Sequence, residues 1–283
     1  MRRSFSQWIV LAAVLLAPAP VLAQVSCTRE GLQYATNLYL TAQSKGDTSG
    51  LPLAKGLAYI ENMQEVDIKS GVIQKPLKIA FHRTLVDPAT CQTFTEIIVT
   101  DPSHPYVLGT RLRINHDKIV EIEMLVTQKG DWLFNADNYM KWSPNENWGV
   151  IPPDQRDTRD PLVAAANAYL DAFLEKKTDL VPWGYPCERT EGGLRTGKGL
   201  PTDTCEVGVP AGVNIVARRF VVDETIGSVV AFCRFGVTGL PDTHLFRVEH
   251  GKLRYVHTLT HVPPGYVVPR VGQNRPPSTA PKN

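Results

Sequence analysis

The sequence contains the same pattern twice, about 130 residues apart. The clearest match joins residues 113–127, RINHDKIVEIEMLVT, to residues 247–261, RVEHGKLRYVHTLTH, in which Arg, His, Lys and Leu recur at an offset of 134 positions. Earlier matches run in the same order at offsets of 130 and 136, and such small changes are expected where loops gain or lose residues. A repeat of this period predicts two copies of one domain rather than a solenoid of short units.

Length and composition are typical of folded domains. The chain has 283 residues, of which 43% are hydrophobic, so each copy can form one core. The net charge is only +2, and acidic and basic residues are interleaved. Since neither a basic stripe nor an alternation of aromatic and basic residues is present, nucleic acid is not an expected partner.

The two ends of the chain differ from the repeats. Arg2 and Arg3 precede a short apolar run that ends in the small-residue sequence VLA, which predicts a signal peptide. The run is too short and too rich in proline to span a bilayer, so we expect an exported protein, in the periplasm or in an extracellular or secretory space. The predicted order is a signal peptide over 1–23, a first repeat over 24–141, a linker over 142–159, a second repeat over 160–263 and a proline-rich tail over 264–283.

All five cysteines follow the predicted signal peptide. Export permits disulfides, and each repeat contains one plausible pair, Cys27 with Cys91 and Cys187 with Cys205. Cys233 is left over in an apolar, strand-like segment, which favours a buried free thiol over a reactive one. Because the sequence has no CxxC motif and no histidine-rich tract, no metal site is predicted.

Each repeat begins with a helical pattern and continues with strand patterns. Thr28 and Gly46 mark the ends of the first helix, while Asp160 as the cap and Pro161 in the first turn mark the start of the second. An α+β class follows, in which helices pack inside a curved antiparallel sheet and form a cone with a pocket at its open end. The predicted strands cover 77–86, 93–100, 107–115 and 118–127 in the first repeat and 213–223, 228–236, 242–249 and 252–262 in the second, with tight turns at His116-Asp117 and His250-Gly251.

These residues resemble a known superfamily. The order of elements is similar to that of the nuclear-transport-factor-two-like superfamily, which includes ketosteroid isomerases, scytalone dehydratase and the SnoaL polyketide cyclases. The segment Tyr59-Ile-Glu61-Asn62 looks like the YxEN strand of its exported members, and residues 111–123 look like their closing hairpin. The chain as a whole resembles two-repeat exported proteins of fungi and bacteria. The resemblance implies two tandem cones packed as a pseudo-dimer, so that a monomer can supply both halves.

The resemblance also implies a type of chemistry. Enzymes of this superfamily usually need no cofactor, and they use a carboxylate or histidine in an apolar cone to move a proton beside a carbonyl. Glu191 and Glu61 occupy matching places on the cone wall, so Glu191 is a candidate base and Glu61 a candidate substrate ligand. Both copies keep this glutamate, which favours a structural carboxylate as the alternative.

The last strand differs most between the copies. His257 stands where the first copy has Glu123, which makes His257 a second candidate catalytic residue. Glu123 is expected to be solvated, and His257 would share its face, which weighs against catalysis. His244 is expected near His257 across the hairpin and is a candidate substrate-binding residue. The other candidate substrate-binding residues are Arg189, Arg219 and Asp223, with structural ion pairs or the outer sheet face as the alternative.

Two functions remain open from the sequence. The first is a cofactor-independent general acid–base enzyme, an isomerase, cyclase, dehydratase or lyase, that acts on an apolar small molecule with a carbonyl group, as in secondary-metabolite biosynthesis. The second copy would be the active half. The second function is an exported, non-catalytic module that binds a hydrophobic ligand or a protein partner. A secreted effector also fits export and disulfides, but no residue selects it.

Overall fold

The computed structural model describes residues 24–206 and 208–266. The predicted signal peptide and most of the predicted tail lie outside these residues. The first unit consists of a helix, α1 (Arg29–Lys45), and six strands, β1 (Leu53–Glu61), β2 (Gln64–Glu65), β3 (Phe81–Asp87), β4 (Gln92–Val99), β5 (Tyr106–Asn115) and β6 (Lys118–Thr127). The second unit repeats this order with α3 (Arg159–Glu175), β7 (Trp183–Glu191), β8 (Leu194–Arg195), β9 (Ile215–Asp223), β10 (Ser228–Phe235), β11 (Leu240–Glu249) and β12 (Lys252–Thr260). The connecting segment, residues 128–158, contains the short helix α2 (Ala136–Trp142).

The two sheets have the same topology, which confirms the α+β class with two cone-shaped units. The strand orders are β2-β1-β6-β5-β4-β3 and β8-β7-β12-β11-β10-β9. Neighbouring strands are antiparallel except for β1 with β6 and β7 with β12, which are parallel. The sheets are therefore mixed rather than purely antiparallel. Both predicted hairpin turns are present, with positive φ angles at His116, Asp117, His250 and Gly251, as a type I′ turn requires.

The helix ends follow local chemistry. Thr28 caps α1 by accepting a hydrogen bond from the backbone N–H of Gly31, and Gly46 ends the helix in the left-handed conformation, as predicted. The prediction for α3 was off by two residues. Its N-cap is Thr158, and Asp160 lies within the first turn, where its charge favours the helix dipole without capping it.

Three apolar clusters hold the fold together. One lies between α1 and the first sheet, one lies between α3 and the second sheet, and the third lies between the opposite faces of the two sheets. Phe94 and Phe232 meet edge to face in the third cluster, with ring centroids 5.9 Å apart. Each sheet thus has an interior face toward its own helix and an interface face toward the other sheet, and successive residues of a strand alternate between the two.

The cysteine pairing is confirmed. Cys27–Cys91 and Cys187–Cys205 form disulfides, with Cα atoms 4.8 Å and 5.2 Å apart. Cys233 is a buried free cysteine. Two disulfides are compatible with export. Among residues 24–206 and 208–266, no helix has the length and apolar character needed to cross a membrane.

Candidate functional site

A network of buried charges surrounds His257 on the interface face of β12. Its Nδ1 atom lies 3.0 Å from Oε1 of Glu96 on β4, and its Nε2 atom lies 2.8 Å from Oε2 of Glu146 in the connecting segment. Arg83 donates a hydrogen bond of 3.0 Å to Glu96, and the Tyr139 hydroxyl donates one of 2.7 Å to the same carboxylate. The side chains of His257 and Glu96 are 1% exposed. Both ring nitrogens of His257 therefore have carboxylate partners, and the ring is shielded from solvent.

The charges in this network shift one another's pKa values. Burial alone would lower the pKa of His257, but the neighbouring Glu146 and Glu96 carboxylates outweigh that effect and raise it to about 9. Burial acts in the opposite direction on Glu146, whose pKa is nonetheless lowered to about 2, chiefly by His257 and then by Arg83. The pKa of Glu96 is lowered for the same reasons. A protonated His257 therefore bridges two ionised glutamates.

We expect the free energy of unfolding to fall as the pH rises from 6.5 to 9. His257 has a pKa of about 9 in the folded chain and 6.5 as a free side chain, so its stabilisation is complete below 6.5 and is lost as the pH passes 9. The difference between the two values corresponds to about 3 kcal/mol. Urea unfolding across this pH range measures the change. The variant His257→Gln should show little of it; an unchanged pH dependence in that variant would assign the effect to other groups.

Two buried aspartates join the units in a reciprocal way. Asp87 accepts hydrogen bonds from the backbone N–H of Val222, at 3.0 Å, and from the arginine that begins α3, at 2.8 Å. Asp223 accepts from the backbone N–H of Val86, at 2.9 Å, and from the arginine that begins α1, at 2.8 Å. The predicted substrate ligand Asp223 thus lies in the contact between the units, where it fixes the two sheets relative to each other.

Arg219 also joins the units. Its guanidinium donates two hydrogen bonds of 2.6 Å to Glu123. Glu123 is 1% exposed, so the expectation that it is solvated was wrong. Arg219 therefore pairs with Glu123 of the first unit rather than with Asp223 of its own unit, whereas Arg83 pairs with Glu96 within the first unit. The sequence correctly predicted which residues of β12 share a face. It does not show that the face opposite the helix packs against a second sheet.

The two halves of this interface differ in chemistry. Arg83 is opposite Glu96 on the neighbouring strand, whereas Arg219, its equivalent in the second unit, is opposite Phe232. The guanidinium carbon of Arg219 lies 5.8 Å from the centre of the Phe232 ring, so Arg219 has an aromatic neighbour where Arg83 has a carboxylate. The interface of two similar sheets is therefore asymmetric, and the buried histidine occurs on one side only.

A different polar row leads into the interior of the second unit. Glu191 ends β7, its side chain is 24% exposed, and its Oε1 atom accepts a hydrogen bond of 2.8 Å from the indole N–H of Trp132. The guanidinium of Arg189 lies 3.4 Å from Oε2 of Glu191 and also donates a hydrogen bond of 3.2 Å to the hydroxyl of Tyr169 on α3. Tyr169 is fully buried. The row Glu191–Arg189–Tyr169 therefore connects a partly exposed carboxylate to the core of the unit.

The first unit has a counterpart of this row in which a tyrosine replaces the arginine. Tyr59 stands where the second unit has Arg189, and its hydroxyl donates a hydrogen bond of 2.5 Å to Oε1 of Glu61. The same oxygen accepts from the backbone N–H of Val72. Glu61 is thus tied to its own unit, which fits the structural role that the sequence favoured for this glutamate.

His244 does not lie beside His257. It is paired in register with Thr258, whereas His257 is paired with Leu245, so the two histidines point to opposite faces of the second sheet. His244 points into the interior, where its Nδ1 atom lies 3.0 Å from Oδ2 of Asp242. Residues that are directly opposite each other on neighbouring strands point to the same face of a sheet, and the next residue along each strand points to the other face. His244 and His257 are not directly opposite, so they point to different faces.

Sequence reasoning missed several buried polar residues. Glu96 lies within an apolar strand, and Glu146 and Tyr139 come from the connecting segment, which has no counterpart in the repeat. Asp242 was named only as the first residue of a predicted strand, and no role was predicted for its side chain. The repeat itself contained a signal for Glu96 and Asp242. Glu96 corresponds to Phe232 in the second copy, and Asp242 corresponds to Leu108 in the first, so an acidic residue in one copy replaces an apolar residue in the other.

The fold and these sites define a tandem α+β protein with polar groups in the interior of its second unit. A family model described as a domain of unknown function, DUF8021, matches residues 155–260, which is most of that unit. No curated protein matches the chain significantly.

Three solved structures with similar folds each align with less than half of the chain. An NTF-2 like protein of unknown function from Burkholderia xenovorans LB400 is 15% identical over 39% of this chain and 89% of its own, with a TM-score of 0.30. A putative ketosteroid isomerase from Kribbella flavida DSM 17836 is 15% identical over 44% and 95%, with a TM-score of 0.31. A putative SnoaL-like polyketide cyclase from Jannaschia sp. CCS1 is 12% identical over 40% and 90%, with a TM-score of 0.25. At these scores the likenesses carry no argument about function, and the fold class depends on the chain's own topology.

Proposed function

We propose that the protein is a general acid–base enzyme for an apolar, carbonyl-bearing small molecule, and that the second unit is its active half. The observation that carries this proposal is the row Glu191–Arg189–Tyr169, which joins a partly exposed carboxylate to a buried cation and a buried hydroxyl. Isomerase, cyclase, dehydratase and lyase reactions all require a base of this kind and a donor for the oxygen that gains charge.

Each residue of the row has a role in this proposal. The Glu191 carboxylate removes a proton from the carbon next to the substrate carbonyl, and the proton then returns to the same or another atom of the substrate. Arg189 remains charged and stabilises the enolate oxygen, with Tyr169 holding the guanidinium in place. Burial of Arg189 strengthens that electrostatic contribution, because few water molecules compete for the guanidinium. His257 has no role in this mechanism, because it lies within the interface network.

We expect Glu191→Gln to lower the rate of proton abstraction at least about 100-fold, because general bases contribute roughly 10²–10⁴ to the rate. Glutamine still accepts the Trp132 hydrogen bond, so the fold should be unchanged. The assay is incorporation of deuterium from D₂O into a panel of apolar ketones, namely 3-ketosteroids, decalones and aryl ketones, followed by mass spectrometry.

Glu61→Gln is the matched control, because it makes the same chemical change at the equivalent position of the first unit. Its exchange rate should equal that of the parent protein. The proposal fails if the parent protein gives no exchange above buffer with any ketone of the panel, or if the two variants lose the same activity.

A non-catalytic binding module is the second candidate. Of the eight large hydrophobic residues that are exposed among the described residues, seven lie in or beside the second unit: Leu174, Leu180, Tyr185, Leu194, Leu200, Val216 and Val237. Where such residues are contiguous, they mark contact with an apolar ligand or a protein partner. Binding of a ketone from the panel without deuterium exchange, and with equal affinity in Glu191→Gln, would support this function instead.

A further inference from the structure

We propose that Cys233, Asp242 and His244 form a metal site for Zn²⁺ in the interior of the second unit. Cys233 lies on β10, and Asp242 and His244 lie two residues apart on β11, so all three side chains point to the same interior face. They supply a thiolate sulfur, a carboxylate oxygen and an imidazole nitrogen, which are the ligand atoms that zinc prefers. The site is independent of the acid–base proposal, which does not use these residues.

The distances between the donor atoms fit a tetrahedral ion. Oδ2 of Asp242 lies 3.0 Å from Nδ1 of His244 and 3.6 Å from the sulfur of Cys233, and the sulfur lies 3.9 Å from Nδ1. Bonds of about 2.0–2.3 Å at tetrahedral angles place pairs of ligand atoms roughly 3.3–3.7 Å apart. Adjustments of a few tenths of an ångström therefore bring all three atoms to one ion, and the fourth position is left for a water molecule.

The surroundings support this geometry. The residues Cys233 and Asp242 are 0% exposed, and His244 is 2% exposed. The hydroxyl of Thr260 donates a hydrogen bond of 3.0 Å to Oδ1 of Asp242, which leaves Oδ2 directed at the other two donors. Partners of this kind commonly orient the carboxylate ligands of metal ions. A buried carboxylate also requires a positive partner, and a divalent cation beside His244 and Cys233 would supply one.

The first unit provides an internal comparison. At the equivalent positions in register, Cys233, Asp242 and His244 are replaced by Ile97, Leu108 and Thr110. Valine takes the place of Thr260, at position 126. Apolar side chains and one hydroxyl therefore suffice to pack this face of the fold. Three donors and the residue that orients one of them appear together in one copy only, which is what a ligand site requires and a packing role does not.

The test is zinc retention by the untagged protein. After removal of metals with EDTA, the parent protein should bind one zinc ion per chain from added ZnSO₄ and keep it through desalting, as measured by mass spectrometry of the metal. The Co²⁺ form should show a thiolate-to-cobalt absorption band in the near ultraviolet. Zinc should also raise the melting temperature of the metal-free protein.

The decisive variant carries Cys233→Ile, Asp242→Leu and His244→Thr, which reproduces the first unit. It should fold, bind no zinc and show no change of melting temperature with EDTA. The single variant Cys233→Ser should lose the near-ultraviolet band of the cobalt form. As a control, His116→Gln, which changes an exposed turn, should bind zinc normally. The proposal is overturned if the parent protein retains no zinc, or if the triple variant retains as much as the parent. Neither result bears on deuterium exchange by Glu191.

Discussion

The double variant Asp87→Ala/Asp223→Ala is expected to lose about 6 kcal/mol of unfolding free energy, which is comparable with the whole stability of many domains. Each buried carboxylate accepts hydrogen bonds from a backbone N–H and an arginine of the other unit. Removing either one leaves a buried backbone N–H unpaired and a partly exposed arginine without its carboxylate, at a cost of about 3 kcal/mol for each site. Urea unfolding followed by tryptophan fluorescence and circular dichroism measures the loss.

The single variants and a surface control make this expectation specific. Asp87→Ala and Asp223→Ala should each lose about half of the double variant's total, since the contacts are related by the repeat. Asp154→Ala, at an exposed position, should change the stability by less than about 0.5 kcal/mol. A double variant that loses less than about 2 kcal/mol would show that the reciprocal contacts do not hold the units together.

Replacing Glu96 by alanine is expected to cost about 3–5 kcal/mol, because it leaves Arg83 and a protonated His257 buried without their shared carboxylate. The pKa of His257 should fall as well, since one of the two carboxylates that raise it is gone. The pH dependence between 6.5 and 9 should therefore become weaker than in the parent protein. Both effects are read from the same urea unfolding series.

A second substitution distinguishes a charge network from simple packing. Arg83→Ala in the Glu96→Ala background should cost less than it does in the parent protein, because the charge that is removed no longer has its partner. Glu65→Ala, on an exposed edge strand, should leave the stability nearly unchanged. If the costs of Arg83→Ala and Glu96→Ala simply add, the two residues act independently and the network as described here is wrong.

Much of the fold could be predicted because local chemistry determines it. The ends of α1, both hairpin turns and the two disulfide pairs were read from Thr28, Gly46, positive-φ turn residues and cysteine positions. The repeat also predicted two units of one architecture, and the sheets share their strand order. The predicted start of α3 differs from the observed one because Thr158 and Asp160 are both acceptable N-cap residues, and only tertiary contacts decide between them.

The site could be predicted only in part, because its contacts depend on which faces meet. The two-residue alternation along β12 correctly placed His257 on the face opposite Val256 and Thr258. It could not show that the face with His257 lies against β4 of the other unit. Glu146 comes from the connecting segment, where no repeat guides prediction. The cluster of Cys233, Asp242 and His244 forms because the register of β10 and β11 brings these residues together. Motifs with closely spaced metal ligands, such as CxxC, do not detect a cluster of this kind.

The unequal pairing of Arg83 with Glu96 and of Arg219 with Phe232 has an evolutionary consequence. In an assembly of two identical subunits, every substitution appears twice, so a glutamate on one side of the axis cannot coexist with a phenylalanine on the other. Fusing both copies into a single gene removes that restriction. One half is then free to keep an inert scaffold while the other acquires new ionisable groups, and the two can specialise without ever having to find each other in solution.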